Sequence, residues 1–229
     1  MSDLNTANNK RAQNSQRIKM VATLGMLIAI AYVVMWICKP IPKVANILQF
    51  DFKDTIIVIG GLIYGPVAAA ASALLVSFLE MITASGTGPV GMLMNFVSTA
   101  SFCCTAAFVY KRRRSQVGAV AGLASGVAAM VVVMLLWNYV VTPIYQNVPR
   151  DVVAAMLPTV FLPFNLVKGG LNMAAALLLY KPVVVALRKA SLVSPSENKK
   201  GKLSLGFLLF ALFLLATFIL LMLALLGVI

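Results

Sequence analysis

Phe50-Asp51-Phe52-Lys53-Asp54-Thr55-Ile56-Ile57-Val58-Ile59-Gly60-Gly61-Leu62-Ile63-Tyr64-Gly65-Pro66 sets three charged residues against an apolar run that Gly65-Pro66 stops after about eleven residues. At 1.5 Å per residue a helix over 54–64 is about 17 Å long, too short to cross a ~30 Å hydrocarbon core alone. Its first turn must therefore start inside a bundle, which draws Asp51, Lys53 and Asp54 toward the protein interior. Charge at that depth is costly unless it faces protein or a water-filled cavity, so it marks a functional site.

Working outward, apolar runs of spanning length recur along the chain. Of its 229 residues 61% are hydrophobic and 11% charged, with a mean hydropathy of +0.96. These values belong to an integral membrane protein, far from soluble norms. The formal net charge is +13. Its basic residues gather at the ends of apolar runs, where they set membrane topology, so no nucleic-acid partner is expected. Cys38, Cys103 and Cys104 lie in apolar segments and there is no histidine, which leaves neither a disulfide framework nor a metal-ligand spacing. Residues 1–19 are polar and the next apolar run lacks a small-residue cleavage site, so no cleavable leader is expected.

The expected organisation is all-α, a six-transmembrane-helix bundle with a short second helix, plus one extra C-terminal transmembrane helix. Residues 1–19 form a flexible polar tail, 20–190 the bundle, 191–202 a polar linker and 203–229 the extra helix. Within the bundle the helices are expected near 20–37, 54–64, 66–83, 90–110, 117–141 and 152–180, with loops at 39–52 and 142–150. Pro158 and Pro163 should bend the sixth. With the N-terminus inside, fourteen basic residues flank the cytoplasmic ends against four (Lys39, Lys43, Lys53, Arg150) outside. That is a positive-inside bias, and it puts the polar set near the outer mouth. The extra helix carries no charge after Lys202 and reads as a lipid-facing anchor, with a regulatory or partner-binding helix as the alternative.

Catalysis is not expected. No glycine-rich loop ends in Gly-Lys-Ser/Thr, the usual histidine base is missing, and Lys53 sits between Asp51 and Asp54, the two carboxylates closest to a metal pair. A neutral, hydrogen-bonding ligand suits the residues better. Asn165, Lys168 and Asn172 are spaced three and four apart and share one helix face, while Asn138 lies beside Trp137 and Tyr139, and Asn95 is on the fourth helix. A pocket is the favoured reading, with interhelical hydrogen bonding as the alternative. Glu80 either joins the pocket or pairs with Lys53 or Lys168. On the first helix Gly25 and Ala29 make a small-xxx-small pair, a surface another helix can approach closely.

Phe50-Asp-Phe-Lys-Asp54 and Ile59-Gly-Gly-Leu-Ile-Tyr-Gly-Pro66 resemble the substrate-binding S components of energy-coupling-factor (ECF) vitamin transporters. Gly91-Met-Leu-Met-Asn95, Leu136-Trp-Asn-Tyr139, Thr142-Pro143, Val148-Pro-Arg150, Leu162-Pro-Phe-Asn-Leu166 and Tyr180-Lys-Pro182 are similar to the riboflavin-specific member. The resemblance covers about 20–190. It implies a six-helix plasma-membrane subunit that captures riboflavin at the outer face. Such a subunit joins a transmembrane coupling protein and two ATPase subunits, which drive its toppling in the lipid. By resemblance Asn138, Asn165, Lys168 and Asn172 contact the flavin, and the loop carrying Leu48, Phe50 and Asp51 closes over it. The family's Ala-xxx-Ala coupling surface falls on Gly25 and Ala29. Riboflavin is then cargo, and no resident cofactor is expected. The alternatives are an S component for another vitamin and a membrane scaffold or channel-like protein without a small ligand. A lipid-acting enzyme is disfavoured, because no base is in place.

Overall fold

A computed structural model describes residues 2–45, 48–84, 86–193 and 205–229. It is helical: α1 (Ser2–Cys38), α2 (Lys53–Tyr64), α3 (Pro66–Thr83), α4 (Gly88–Arg112), α5 (Gln116–Gln146), α6 (Arg150–Met156), α7 (Leu162–Lys189) and α8 (Leu205–Leu225). Among the described residues there is no strand, only an isolated antiparallel pairing of Val44 with Leu48 that pinches the loop before α2. Six segments are long and apolar enough to span: Gln13–Cys38, Pro66–Thr83, Gly88–Arg112, Gln116–Gln146, Arg150–Lys189 and Leu205–Leu225. Short α2 completes the bundle.

The brevity of α2 has the expected cause. Gly65 sits at φ 101°, which only glycine adopts without strain, and Pro66 begins α3 at once. Ten of the twelve residues of α2, Lys53 to Leu62, are buried, so the helix runs through the middle of the bundle. Close packing follows from small residues: a Cβ on Gly61 would stand 2.8 Å from the Ala69 methyl. The core around it joins Leu27, Ala31, Ile57, Val58, Val76, Phe102, Leu123 and Met130 from α1 to α5.

Four boundaries differ from expectation. The polar stretch expected as a flexible tail continues α1 back to Ser2. Helix α5 runs through Pro143 to Gln146, where Asn147 caps it in the left-handed conformation, so the loop before α6 is much shorter than 142–150. The sixth span begins earlier and ends later than 152–180. It runs as α6, a π-helical stretch over Leu157–Phe161 and then α7, which passes through Pro182 to Lys189. Pro158 and Pro163 both lack the N–H that an α-helical ladder needs, which is a physical reason for the π register between them. The linker expected at 191–202 lies mostly outside the described residues. Helix α8 packs on α7, and Ala211 is its only buried residue among those described.

Candidate functional site

A cavity opens where the C-terminal ends of α1, α3 and α5 meet the N-terminal ends of α4 and α7. Periodicity builds its walls. Helix α5 contributes Met134, Trp137, Asn138, Val141, Thr142 and Tyr145, the three-and-four spacing of one helical face. Helix α4 contributes Gly91, Met94, Asn95 and Ser98 in the same rhythm, and Phe161, Phe164, Asn165 and Lys168 line the α7 side. The loop before α2 closes it with Leu48, Gln49, Phe50 and Asp51. Phe50 stacks on Phe164 with ring centroids 4.7 Å apart, and Gln49 Nε2 donates to the Lys39 carbonyl at 2.9 Å, which ties the loop to the end of α1.

Below this wall lies a buried charge network. Lys168 Nζ donates to Asp51 Oδ2 at 3.0 Å, and Lys53 Nζ stands 3.9 Å from the same oxygen. Lys53 Nζ also donates to Glu80 Oε2 at 2.5 Å, beside Asn95 Nδ2 at 3.0 Å, and Lys39 Nζ reaches Glu80 Oε1 at 3.3 Å. Burial alone would raise the Asp51 carboxyl pKa. The ammoniums of Lys168 and Lys53 outweigh it and hold the group below the usual carboxylate range. Asp51 Oδ1 is buried and has no hydrogen-bond partner among the described residues, yet Asp51 lines the cavity. It offers an incoming donor an acceptor that is already desolvated.

The amides divide by task. Asn138 Nδ2 donates to the Met134 carbonyl at 2.7 Å, while its oxygen accepts from Thr142 Oγ1 at 3.0 Å. Asn165 Nδ2 donates to the Phe161 carbonyl at 2.7 Å. Each amide nitrogen keeps a second proton, and these backbone bonds fix its orientation at the cavity wall. Asn172 departs from the expected contact with ligand. It does not line the cavity, and its oxygen accepts from Thr55 N and Thr55 Oγ1, both at 2.8 Å. Its nitrogen donates to the Asp51 carbonyl at 2.9 Å and the Lys168 carbonyl at 3.0 Å. Asn172 therefore positions the start of α2 and the residue that carries the carboxylate. No group of His, Cys, Asp and Glu suited to a metal ion occurs among the described residues.

The family described as "ECF transporter, substrate-specific component" matches residues 19–184. The chain belongs to this family. Two relatives of this S component are "Riboflavin transporter RibU" of Staphylococcus aureus, 32% identical over 188 residues, and "Riboflavin transporter FmnP" of Bacillus subtilis, 35% identical over 162 residues. The first alignment covers 80% of this chain and 99% of the relative, the second 67% and 85%. A solved structure, "Structure and mechanism of the S component of a bacterial ECF transporter", is 33% identical with a TM-score of 0.62, covering 77% of this chain and 99% of its own. As a multi-pass membrane transporter subunit, the protein is not an enzyme.

Of the residues expected at the site in this S component, Leu48, Phe50, Asp51, Glu80, Asn95, Asn138, Asn165 and Lys168 converge on the one cavity. Glu80 takes both roles left open for it, lining the cavity while pairing with Lys53. Sequence reasoning missed Lys39, Gln49, Phe161 and Phe164. The two phenylalanines were within reach, because the face of Asn165 and Lys168 extends back to them at the same spacing; Lys39 was read only as a marker of orientation. Gly25 and Ala29 lie on an exposed face of α1, and a Cβ on Gly25 would meet nothing within 4 Å. Helix α8 packs against α7 and leaves that face open.

Proposed function

We propose that this S component binds riboflavin in the cavity and delivers it inward with a transmembrane coupling protein and two ATPase subunits. The observation that carries the reading is the pairing of aromatic surface with an oriented polar rim. Trp137, Phe161 and Phe164 line the cavity with aromatic carbon against which a flat tricyclic ligand can pack. Asn138, Asn165 and the unpaired oxygen of Asp51 offer donors and an acceptor to its polar edge and to the hydroxyls of its side chain. Burial and stacking supply affinity in such a pocket, and a few placed polar groups supply orientation. The names of the two relatives support riboflavin as the cargo.

The mouth faces outward and the N-terminus lies in the cytoplasm of a bacterial cell. The distribution of charge supports this, since Arg17, Lys19, the run 111–114, Lys181, Arg188 and Lys189 all fall at the end away from the cavity. The loop around Leu48 to Asp51 closes over bound flavin, and the open small-residue face of Gly25 and Ala29 meets the coupling protein in the lipid.

The test is to purify the full chain in mild detergent and titrate riboflavin, following quenching of flavin fluorescence. Saturable quenching at one flavin per chain is expected. A folded chain that quenches nothing overturns the assignment, and a thermal-shift screen would then show whether another vitamin fills the cavity.

A further inference from the structure

The end of the bundle away from the mouth holds a second, larger cavity. Arg17 and Lys19 of α1, Arg114 after α4 and Arg188 of α7 converge on it. None of the four forms an ion pair among the described residues. Of the carboxylates whose side chains are described, Asp51 lies just before α2, Asp54 in its first turn, Glu80 at the end of α3 and Asp151 at the start of α6, all toward the mouth. Four cations from three parts of the chain thus share one concavity with no carboxylate facing them among the described residues. All four side chains are exposed, so water and salt screen their mutual repulsion, and the cluster presents its charge to an anion from outside.

The remaining lining narrows the class of that anion. Tyr64, Tyr110 and Tyr180 also line the cavity. The hydroxyls of Tyr110 and Tyr180 pair at 3.0 Å, whereas the Tyr64 hydroxyl is buried and has no partner among the described residues. Arginines with phenolic donors suit a phosphate, whose several oxygens take charge-assisted bonds. Met20, Leu62, Ile63, Val184 and Leu192 make part of the wall apolar. Ile18, Val21 and Val185, adjoining in sequence, are exposed apolar residues beside it. A soluble phosphate compound would have no use for that apolar surface, and an acyl chain would.

We propose that this cavity is a headgroup site for an anionic phospholipid, with Arg17, Lys19, Arg114 and Arg188 on the phosphate and the Tyr64 hydroxyl as an added donor. The lipid bridges the middle of α1, the segment after α4 and the end of α7. Basic pockets between helices on the cytoplasmic side of a membrane take headgroups of this kind. The inference needs only that the chain spans a membrane and does not depend on which vitamin the mouth takes.

The test uses the full chain in mild detergent and reads its thermal midpoint. Short-chain phosphatidylglycerol, phosphatidylcholine of the same chain length and inorganic phosphate are added separately. Phosphatidylglycerol should raise the midpoint in a saturable way, by mass action on the folded state. The other two should raise it little. The double variant Arg114→Gln/Arg188→Gln should lose most of that rise while remaining monodisperse. If that variant does not fold, Arg17→Gln/Lys19→Gln on the opposite wall serves the same purpose. An equal rise with phosphatidylcholine would reduce the effect to acyl-chain contact and overturn the proposal. A rise that inorganic phosphate reproduces would assign the cavity to a soluble phosphate and overturn the lipid. A rise that survives in both variants would overturn the site.

Discussion

The ammonium of Lys168 on α7 lies 3.0 Å from Oδ2 of Asp51, 117 residues earlier in the chain, and this contact fastens the loop that closes the cavity to the helix that forms its wall. Lys168 is buried and the Asp51 side chain is only 11% exposed, so each largely solvates the other in place of water. Removing one partner of such a pair costs about 3–5 kcal/mol, because the survivor is left uncompensated. Lys168→Met should lower stability on that scale, since Lys53 at 3.9 Å becomes the only remaining cation near Asp51. Adding Asp51→Asn to the same chain should recover most of the loss. Thermal midpoints of the two single variants and the double variant form the cycle. Losses that simply add would show that the pair is not coupled.

Asn172 and Asn165 stand seven residues apart on α7 and should respond differently to truncation. Asn172→Ala leaves Thr55 N with only its longer bond to the Phe52 carbonyl at 3.2 Å and strips the Asp51 carbonyl of the Asn172 amide, at about 1–3 kcal/mol for an unsatisfied buried group. Its thermal midpoint should fall sharply, and riboflavin affinity should fall as a consequence of the shifted loop. Asn165→Ala should cost affinity by about tenfold, equivalent to about 1.4 kcal/mol, with a smaller fall in midpoint. Equal affinity and equal midpoint loss in the two variants would contradict the division of tasks drawn here.

Glu80 anchors three donors, Lys53, Lys39 and Asn95. In Glu80→Gln the anion is lost and both lysines face a neutral amide. The loop end at Lys39 should then detach more readily, which speeds riboflavin release with little change in the association rate. Stopped-flow fluorescence measures both rates. An unchanged release rate would mean that the network is structural and does not hold the loop over the ligand.

The family match ends at residue 184, ahead of α8. A Cβ on Gly170 of α7 would run into the ring of Phe218, so α8 rests directly on glycine backbone there. Gly170→Val should push α8 off this contact and lower the thermal midpoint, while riboflavin affinity stays within about threefold, a change of roughly 0.7 kcal/mol. A large loss of affinity would show that α8 shapes the cavity through α7.

Much of this was readable in the sequence, and the remainder has identifiable reasons. The Gly65-Pro66 stop and the charges at 51–54 determine that α2 is short and begins at depth, a local inference from backbone chemistry. The face of Asn165 and Lys168 was readable from spacing. Whether Asn172 faces ligand or protein was not, since its partner Thr55 is 117 residues away and periodicity gives only a direction on one helix. Lys39 escaped notice for the same reason, its partner Glu80 being 41 residues distant. Pro143 and Pro182 mislead in another way: a proline costs one hydrogen bond and a clash, which packing against neighbouring helices can offset, so both helices continue through them.

The most direct test of the central claim uses the two tryptophans as reporters. Trp137 lines the cavity, and Trp36 lies exposed on α1. In Trp36→Phe the remaining indole emission comes from Trp137 alone, and flavin absorption overlaps that emission. Titrating riboflavin into this variant should quench Trp137 strongly and saturably, with an endpoint at one flavin per chain. Riboflavin bound at that stoichiometry with Trp137 emission unchanged would place the ligand elsewhere and contradict the account.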